Sequence, residues 1–136
     1  MDDSERSSRL ALAGALRESA DYYSAEQALR DSLSRSYYSV FHVGCVLIGR
    51  GFGNHAEFLK ELQVVLGDDA AGRLLVAKVE EIQNLRIQAD YVFDAVERYY
   101  EADLRKFRQA ASDGLRLGHE TYEALLKRIA DNRKGP

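Results

Sequence analysis

A long amphipathic helix is encoded by residues 24–49, SAEQALRDSLSRSYYSVFHVGCVLIG. Apolar side chains recur there at spacings of three and four, which is the pattern of a buried helix face. They are Leu29, Leu33, Tyr37, Val40, Phe41, Gly44 and Ile48. Small residues form a second stripe at Ala28, Ser32, Ser36 and Ser39, which allows another helix to approach closely. Ser24 is typical of an N-cap, and Gly49 opens a glycine-rich loop that ends the helix.

Helical periodicity continues through most of the remaining chain. The predicted helices run from Ser4 to about Tyr22, from Asn54 to Gly67, from Asp68 to about Tyr91, and from about Glu101 to Ile129. Residues 92–100 fit either a turn or a continuing helix. Glu57 is placed to reach back to an Asn54 cap. Val65, Leu74 and Leu104 are assigned to buried faces.

Composition agrees with one globular all-α domain. The 136 residues are 46% apolar and carry 19 basic against 22 acidic side chains, a net charge of −3. The only proline is Pro136, so no helix is interrupted by that residue type. We expect an antiparallel up-and-down bundle of four to five helices over residues 1–136, with a core at about 4–130 and a frayed tail at 131–136.

The sequence also excludes several classes of protein. An acidic, polar N-terminus is unlike a signal peptide, and no apolar run approaches the ~20 residues that span a bilayer. Cys45 is the only cysteine, lies in an apolar run and is expected to be a small buried residue. We therefore expect a cytoplasmic protein without a membrane segment. Scattered histidines without ligand spacing predict no metal site, and Gly51-x-Gly53 lacks the preceding strand of a nucleotide fingerprint, so no cofactor is predicted.

Polar residues recur on particular helix faces. Arg35, Tyr38 and His42 are spaced by three and four on the second helix, while Arg86 and Asp90 are one turn apart on the fourth, beside Tyr91. If these helices are neighbours, Arg35 could pair with Asp90. Either the residues form a ligand site or they are a buried polar network that sets the packing register.

Two further features suggest binding. His55 follows the glycine-rich loop at a helix start, where it could bind a phosphate or be an ordinary exposed side chain. The doublets Tyr22-Tyr23, Tyr37-Tyr38 and Tyr99-Tyr100 should each place one ring in the core and one at a surface, because adjacent helical residues point in different directions.

Residues 34–42, SRSYYSVFH, and 85–91, LRIQADY, resemble two motifs of small HEPN-domain proteins: an Arg-small-Tyr-Tyr-small-x-Phe-His run and an Arg-x-x-Ala-Asp-Tyr motif. Gly53-Asn54-His55 is similar to the loop histidine of the same group. The resemblance spans about residues 24–126. It implies a helical bundle, usually a homodimer, that often works with a minimal nucleotidyltransferase in toxin–antitoxin or stress systems.

Many HEPN proteins are metal-independent ribonucleases with an arginine followed, after four to six residues, by a histidine. No histidine follows Arg86 at that distance, and Asp90-Tyr91 occupies the place. Arg35 to His42 and Arg50 to His55 have the spacing but lie in other elements.

Three hypotheses follow. The first is a HEPN-like module that binds a nucleotide or partner through Arg35, Tyr38, His55, Asp90 and Tyr91. The second is a ribonuclease toxin in which Arg86 and His42 act on RNA. The third is a structural dimer without a ligand.

Overall fold

A computed structural model describes residues 1–22 and 29–133 of the chain. Within them lie six helices and no strand: α1 (Asp3–Tyr22), α2 (Leu29–Ile48), α3 (His55–Leu66), α4 (Ala70–Asp90), α5 (Val92–Tyr99) and α6 (Leu104–Arg133). The prediction of an all-α fold is confirmed. The count exceeds four to five because residues 92–99 form a helix of their own. The predicted cap at Ser24 lies outside the described residues.

The four long helices alternate in direction. Residue numbers rise along one helix as they fall along its neighbour. The pairs in contact are Arg9–His42 and Arg17–Ser36 for α1 and α2, Tyr38–Arg86 and Arg30–Asp90 for α2 and α4, and Leu85–Gly114 and Asp69–Arg128 for α4 and α6. This is the alternation of an up-and-down bundle.

Helix α2 lies at the centre of the bundle. Leu33, Tyr37, Val40 and Val43 are fully buried, and α1, α4 and α6 all pack against this helix. Burial on several sides explains why α2 carries both an apolar stripe and a stripe of small residues. Its position means that polar side chains on α2 meet those of whichever helix faces them.

Glycines allow α6 to lie close to its neighbours. A Cβ at Gly118 would overlap the Ser36 hydroxyl of α2, and a Cβ at Gly114 would overlap Leu85 of α4. Both glycines are buried inside one continuous helix. At Ser36 the small-residue stripe of α2 thus meets a glycine of α6, and the two helices approach closely there, as the spacing predicts.

Some details differ from the sequence prediction. Val65, Leu74 and Leu104 are 39%, 55% and 36% exposed, so their assignment to buried faces is wrong. A helix turns about 100° per residue, and the adjacent Leu66 and Leu75 take the core positions instead. Residues 131–133 are helical, although the sequence predicts that they belong to a frayed tail.

The start of α3 is capped as predicted, with one change. Asn54 Oδ1 accepts hydrogen bonds from the backbone N–H groups of Ala56 (2.9 Å) and Glu57 (3.2 Å). The Glu57 carboxylate pairs with Arg50 at 3.1 Å rather than reaching back to the cap. Among the described residues, no helix combines the length and apolarity needed to cross a membrane.

Candidate functional site

Arg86 of α4 lies against two adjacent tyrosines of α2. Its Nη2 donates a hydrogen bond to the Tyr38 hydroxyl at 3.2 Å. Its guanidinium carbon is 5.0 Å from the centre of the Tyr38 ring and 5.5 Å from that of Tyr37. These are distances at which a cation is attracted to a ring face. Arg86 is partly buried, so its charge is held at a defined place.

His55 joins the same tyrosines from the first turn of α3. Its Nδ1 is 2.8 Å from the Tyr37 hydroxyl, and its ring centre is 5.3 Å from that of Phe41. The asparagine cap fixes the helix start and so fixes where this imidazole lies. Three separate elements therefore meet in one group, the Arg86 cluster, which consists of Arg86, Tyr37, Tyr38 and His55.

Protonation within the Arg86 cluster follows from burial and charge. Burial, aided by the charge of Arg86, lowers the pKa of His55 below its ordinary value. Burial raises the pKa of the Tyr37 phenol, and the opposing effect of Arg86 is smaller. At neutral pH the cluster thus contains a neutral imidazole, a protonated phenol and a permanent cation.

Arg86 has no carboxylate within ion-pair distance among the described residues. Asp90, one turn further along α4, is instead held by Arg30 of α2 at 2.7 Å. The predicted pairing of Arg35 with Asp90 is therefore wrong. Residues five apart on a helix differ in direction by about 140°, so Arg35 leaves α2 on a different side from Arg30.

His42 lies near the cluster but faces another helix. Its Nδ1 is 3.1 Å from Arg9 Nη1 of α1, and Arg9 also pairs with Glu5 at 3.5 Å. Burial, followed by the charge of Arg9, lowers the pKa of His42. His42 and Tyr38 are one turn apart on α2, so the two polar groups are adjacent along that helix.

Arg9 is not among the residues that the sequence predicts for the site. Its guanidinium also lies against Gly51, where a Cβ would collide with it, so the glycine-rich loop makes room for this side chain. Arg9, Ala13 and Arg17 are spaced by four and face α2, where Arg17 Nη1 donates to Ser36 at 3.0 Å. The spacing of four could have indicated this from the sequence, since it places both arginines on the same face of α1 as the small residue Ala13.

Tyr91 lies apart from the other predicted binding residues. It is 68% exposed and lines a cavity with Ile87, Gln88 and Tyr99. Arg86 lies inside α4, whereas Tyr91 follows the last residue of that helix and separates it from α5. The fold thus brings Tyr38, His55 and Arg86 together, places His42 beside them, and leaves Asp90, Arg35 and Tyr91 with other neighbours or on other faces.

The Arg86 cluster includes the doublet Tyr37-Tyr38 but not the cysteine or the other tyrosine doublets. Cys45 is fully buried, and burial raises the pKa of its thiol to about 11. In residues 1–22 and 29–133, no group of three or more His, Cys, Asp and Glu side chains is placed to hold a metal ion. In the two tyrosine doublets whose side chains are described, one ring is more deeply buried than the other, because Tyr37 is fully buried and Tyr99 is 65% exposed.

Comparisons with models of protein families, with curated proteins and with solved structures found no match to this chain. The resemblance to HEPN domains therefore depends on the sequence motifs alone, in residues 34–42, 53–55 and 85–91.

Proposed function

We propose that this chain is a HEPN-like helical module that binds a phosphate-bearing ligand, a nucleotide or RNA, at the Arg86 cluster. One observation carries the proposal: Arg86 is a partly buried cation beside two tyrosines and the neutral imidazole of His55, while Asp90 is engaged by Arg30. A partly buried cation that has no carboxylate partner in the part of the chain that the structure describes favours an incoming anion.

The neighbours of Arg86 suit the oxygens of a phosphate. Tyr37 keeps its proton at neutral pH, so its hydroxyl can donate to Nδ1 of His55. In that arrangement the ring proton of His55 is on Nε2, which becomes a donor. Together with the Arg86 guanidinium and the Tyr38 hydroxyl, this gives three donors of hydrogen bonds from three elements.

The biological setting of the proposal comes from the resemblance. The residues of the Arg86 cluster lie within or next to the motifs that resemble HEPN domains, at 34–42, 53–55 and 85–91. We therefore propose a cytoplasmic homodimer that acts with a minimal nucleotidyltransferase in a toxin–antitoxin or stress system. The lone buried Cys45 suits a reducing compartment.

Binding of a labelled single-stranded RNA oligonucleotide, followed by fluorescence anisotropy in EDTA, tests the proposal. Arg86→Gln should weaken binding about 10-fold or more, since a hydrogen bond to a charged group contributes about 1.5–3 kcal/mol. Arg86→Lys should weaken it less, because the charge remains while the forked geometry is lost.

Arg105→Gln is the matched control, since it makes the same change in a side chain that is 87% exposed at the start of α6. The magnitude of the slope of log affinity against log salt concentration should also be smaller in Arg86→Gln, by about the amount that one phosphate contact contributes. Equal losses of affinity in the two glutamine variants would refute a specific role for Arg86. If the wild type binds neither RNA nor a nucleoside monophosphate, the structural dimer is the better hypothesis.

His42 favours a second candidate function, cleavage of the RNA. The neutral imidazole of His42 can accept the proton of a 2′-hydroxyl at Nδ1 once that atom releases its hydrogen bond from Arg9, while Arg86 stabilises the charged phosphate. Incubation of pure protein with total RNA in EDTA tests this ribonuclease hypothesis. Cleavage by the wild type that is lost in both His42→Gln and Arg86→Gln would establish it, and intact RNA would argue for binding without catalysis.

A further inference from the structure

A cavity of about 430 Å³ lies where α4 meets α5, and its chemistry differs from that of the Arg86 cluster. Its lining residues are Asn84, Ile87, Gln88, Tyr91, Ala95, Arg98 and Tyr99. Asn84, Ile87 and Gln88 recur at spacings of three and one, so they share one face of α4, and Tyr91 follows just after the last residue of that helix. Arg86 lies about 200° around the helix from Asn84, which places the two sites on opposite sides of α4.

The walls of this cavity are unusually rich in exposed aromatic surface. Tyr91 is 68% exposed, Tyr99 is 65% exposed, and Ile87, which also lines the cavity, is 44% exposed. Large apolar side chains that remain exposed around one concavity are typical of a binding site rather than of ordinary surface. Phenol rings in this setting favour a flat ligand, since stacking on a π face needs area but little directional bonding.

Two amide side chains add hydrogen-bonding groups to the same cavity. Asn84 and Gln88 are one turn apart on α4, and both line it. The Tyr100 hydroxyl donates to Oε1 of Gln88 at 2.5 Å, so this amide is oriented and offers its N–H groups to a ligand. Asn84 can offer a donor and an acceptor together, which is the pairing that an adenine edge accepts.

We propose that this cavity binds the purine base of a nucleoside or nucleotide, with the base stacked on Tyr91 or Tyr99 and its edge bonded to Asn84 and Gln88. A purine fits better than a pyrimidine because its fused rings present more area to the tyrosines. The concave shape and the paired amides favour a small heteroaromatic ligand over a flat protein surface.

Titration with adenosine, followed by isothermal calorimetry, tests the proposal without involving any phosphate. Tyr91→Leu and Tyr99→Leu should each retain the fold, since both side chains are mostly exposed. At least one of them should weaken adenosine binding about 5- to 150-fold, the range found when a stacking residue is removed. Asn84→Leu should reduce the preference for adenosine over uridine.

Leu12→Ala is the control, because Leu12 is 46% exposed on α1 and does not line the cavity. Its affinity for adenosine should equal that of the wild type. Adenosine carries no phosphate, so a failure of the Arg86 cluster to bind RNA would not affect this result, and the reverse also holds.

Three outcomes would overturn the proposal. The first is the absence of saturable heat with adenosine and with guanosine at millimolar concentration. The second is binding that is unchanged in both tyrosine variants. The third is a wild-type dimer that ignores nucleosides and dissociates in Tyr91→Leu, which would identify the surface as a protein interface.

Discussion

Replacement of Gly118 by alanine should destabilise the bundle, although alanine is the better helix former. Gly118 of α6 is buried against α2, and an added Cβ would overlap the Ser36 hydroxyl and lie 3.3 Å from Arg17 Nη1. Ser36 is fully buried, Arg17 is 4% exposed, and the two are joined by a hydrogen bond of 3.0 Å. The new methyl group must therefore displace the serine hydroxyl and break this bond.

The expected magnitude follows from three contributions. Overpacking of a core costs about 1–3 kcal/mol. Loss of a buried hydrogen bond to a charged group costs about 1.5–3 kcal/mol. Alanine in place of glycine within a helix contributes about 1 kcal/mol in the stabilising direction. The net loss in the free energy of unfolding is then about 1.5–5 kcal/mol.

Urea denaturation followed by far-UV circular dichroism measures this difference. Gly14→Ala is the matched control, because a Cβ at Gly14 meets the Tyr122 hydroxyl at an ordinary contact distance of 3.6 Å. That variant should be stabilised by up to about 1 kcal/mol. In a Ser36→Ala background, Gly118→Ala should lower the free energy of unfolding by less than it does in the wild type, since the hydroxyl that the new Cβ would overlap is absent.

The reasoning would be refuted if Gly118→Ala were as stable as the wild type, or if both glycine variants shifted by the same amount and sign. Either result would mean that α6 can move away from α2 without losing packing. Equal costs of Gly118→Ala with and without the Ser36 hydroxyl would show that another contact is responsible.

Two further predictions concern titratable groups. Because the pKa values of His42 and His55 are lowered in the folded protein, the unfolded chain binds more protons at mildly acidic pH. The free energy of unfolding should therefore fall as the pH drops through about 6.5, and urea titrations of a His42→Gln/His55→Gln variant should show a flatter pH dependence. Buried Cys45, whose pKa is raised to about 11, should resist iodoacetamide in the native protein and react in urea, as mass spectrometry would show. Rapid native alkylation would contradict its burial.

Local signals were sufficient for most of the helices. The sequence predicts a first helix from Ser4 to about Tyr22, and α1 runs from Asp3 to Tyr22. The N-cap Asn54 and the C-cap Gly67 mark the two ends of α3. Both can be predicted from the sequence because they act on backbone groups within a few residues. Residues 92–99 could not be assigned, since a break of one residue after Asp90 separates two helices that have no marked local boundary.

The site was predicted only in part. The sequence predicts Arg86, Tyr38 and His55 as candidates, and they lie together because α2, α3 and α4 converge. The partner of Asp90 was predicted incorrectly, because Arg30 and Arg35 are both plausible cations on α2. Helical spacing states which residues share a face, but it does not state which neighbouring helix that face meets.

By itself, the sequence determined the helices, their apolar stripes and the residue types available for a site, because propensity, capping and periodicity act over a few positions. Tertiary structure decided that Arg30 neutralises Asp90, that Arg9 reaches His42, and that Arg86 is left among tyrosines. Those outcomes depend on the rotation of each helix about its axis, which close packing of the whole core sets through contacts such as Gly118 against Ser36.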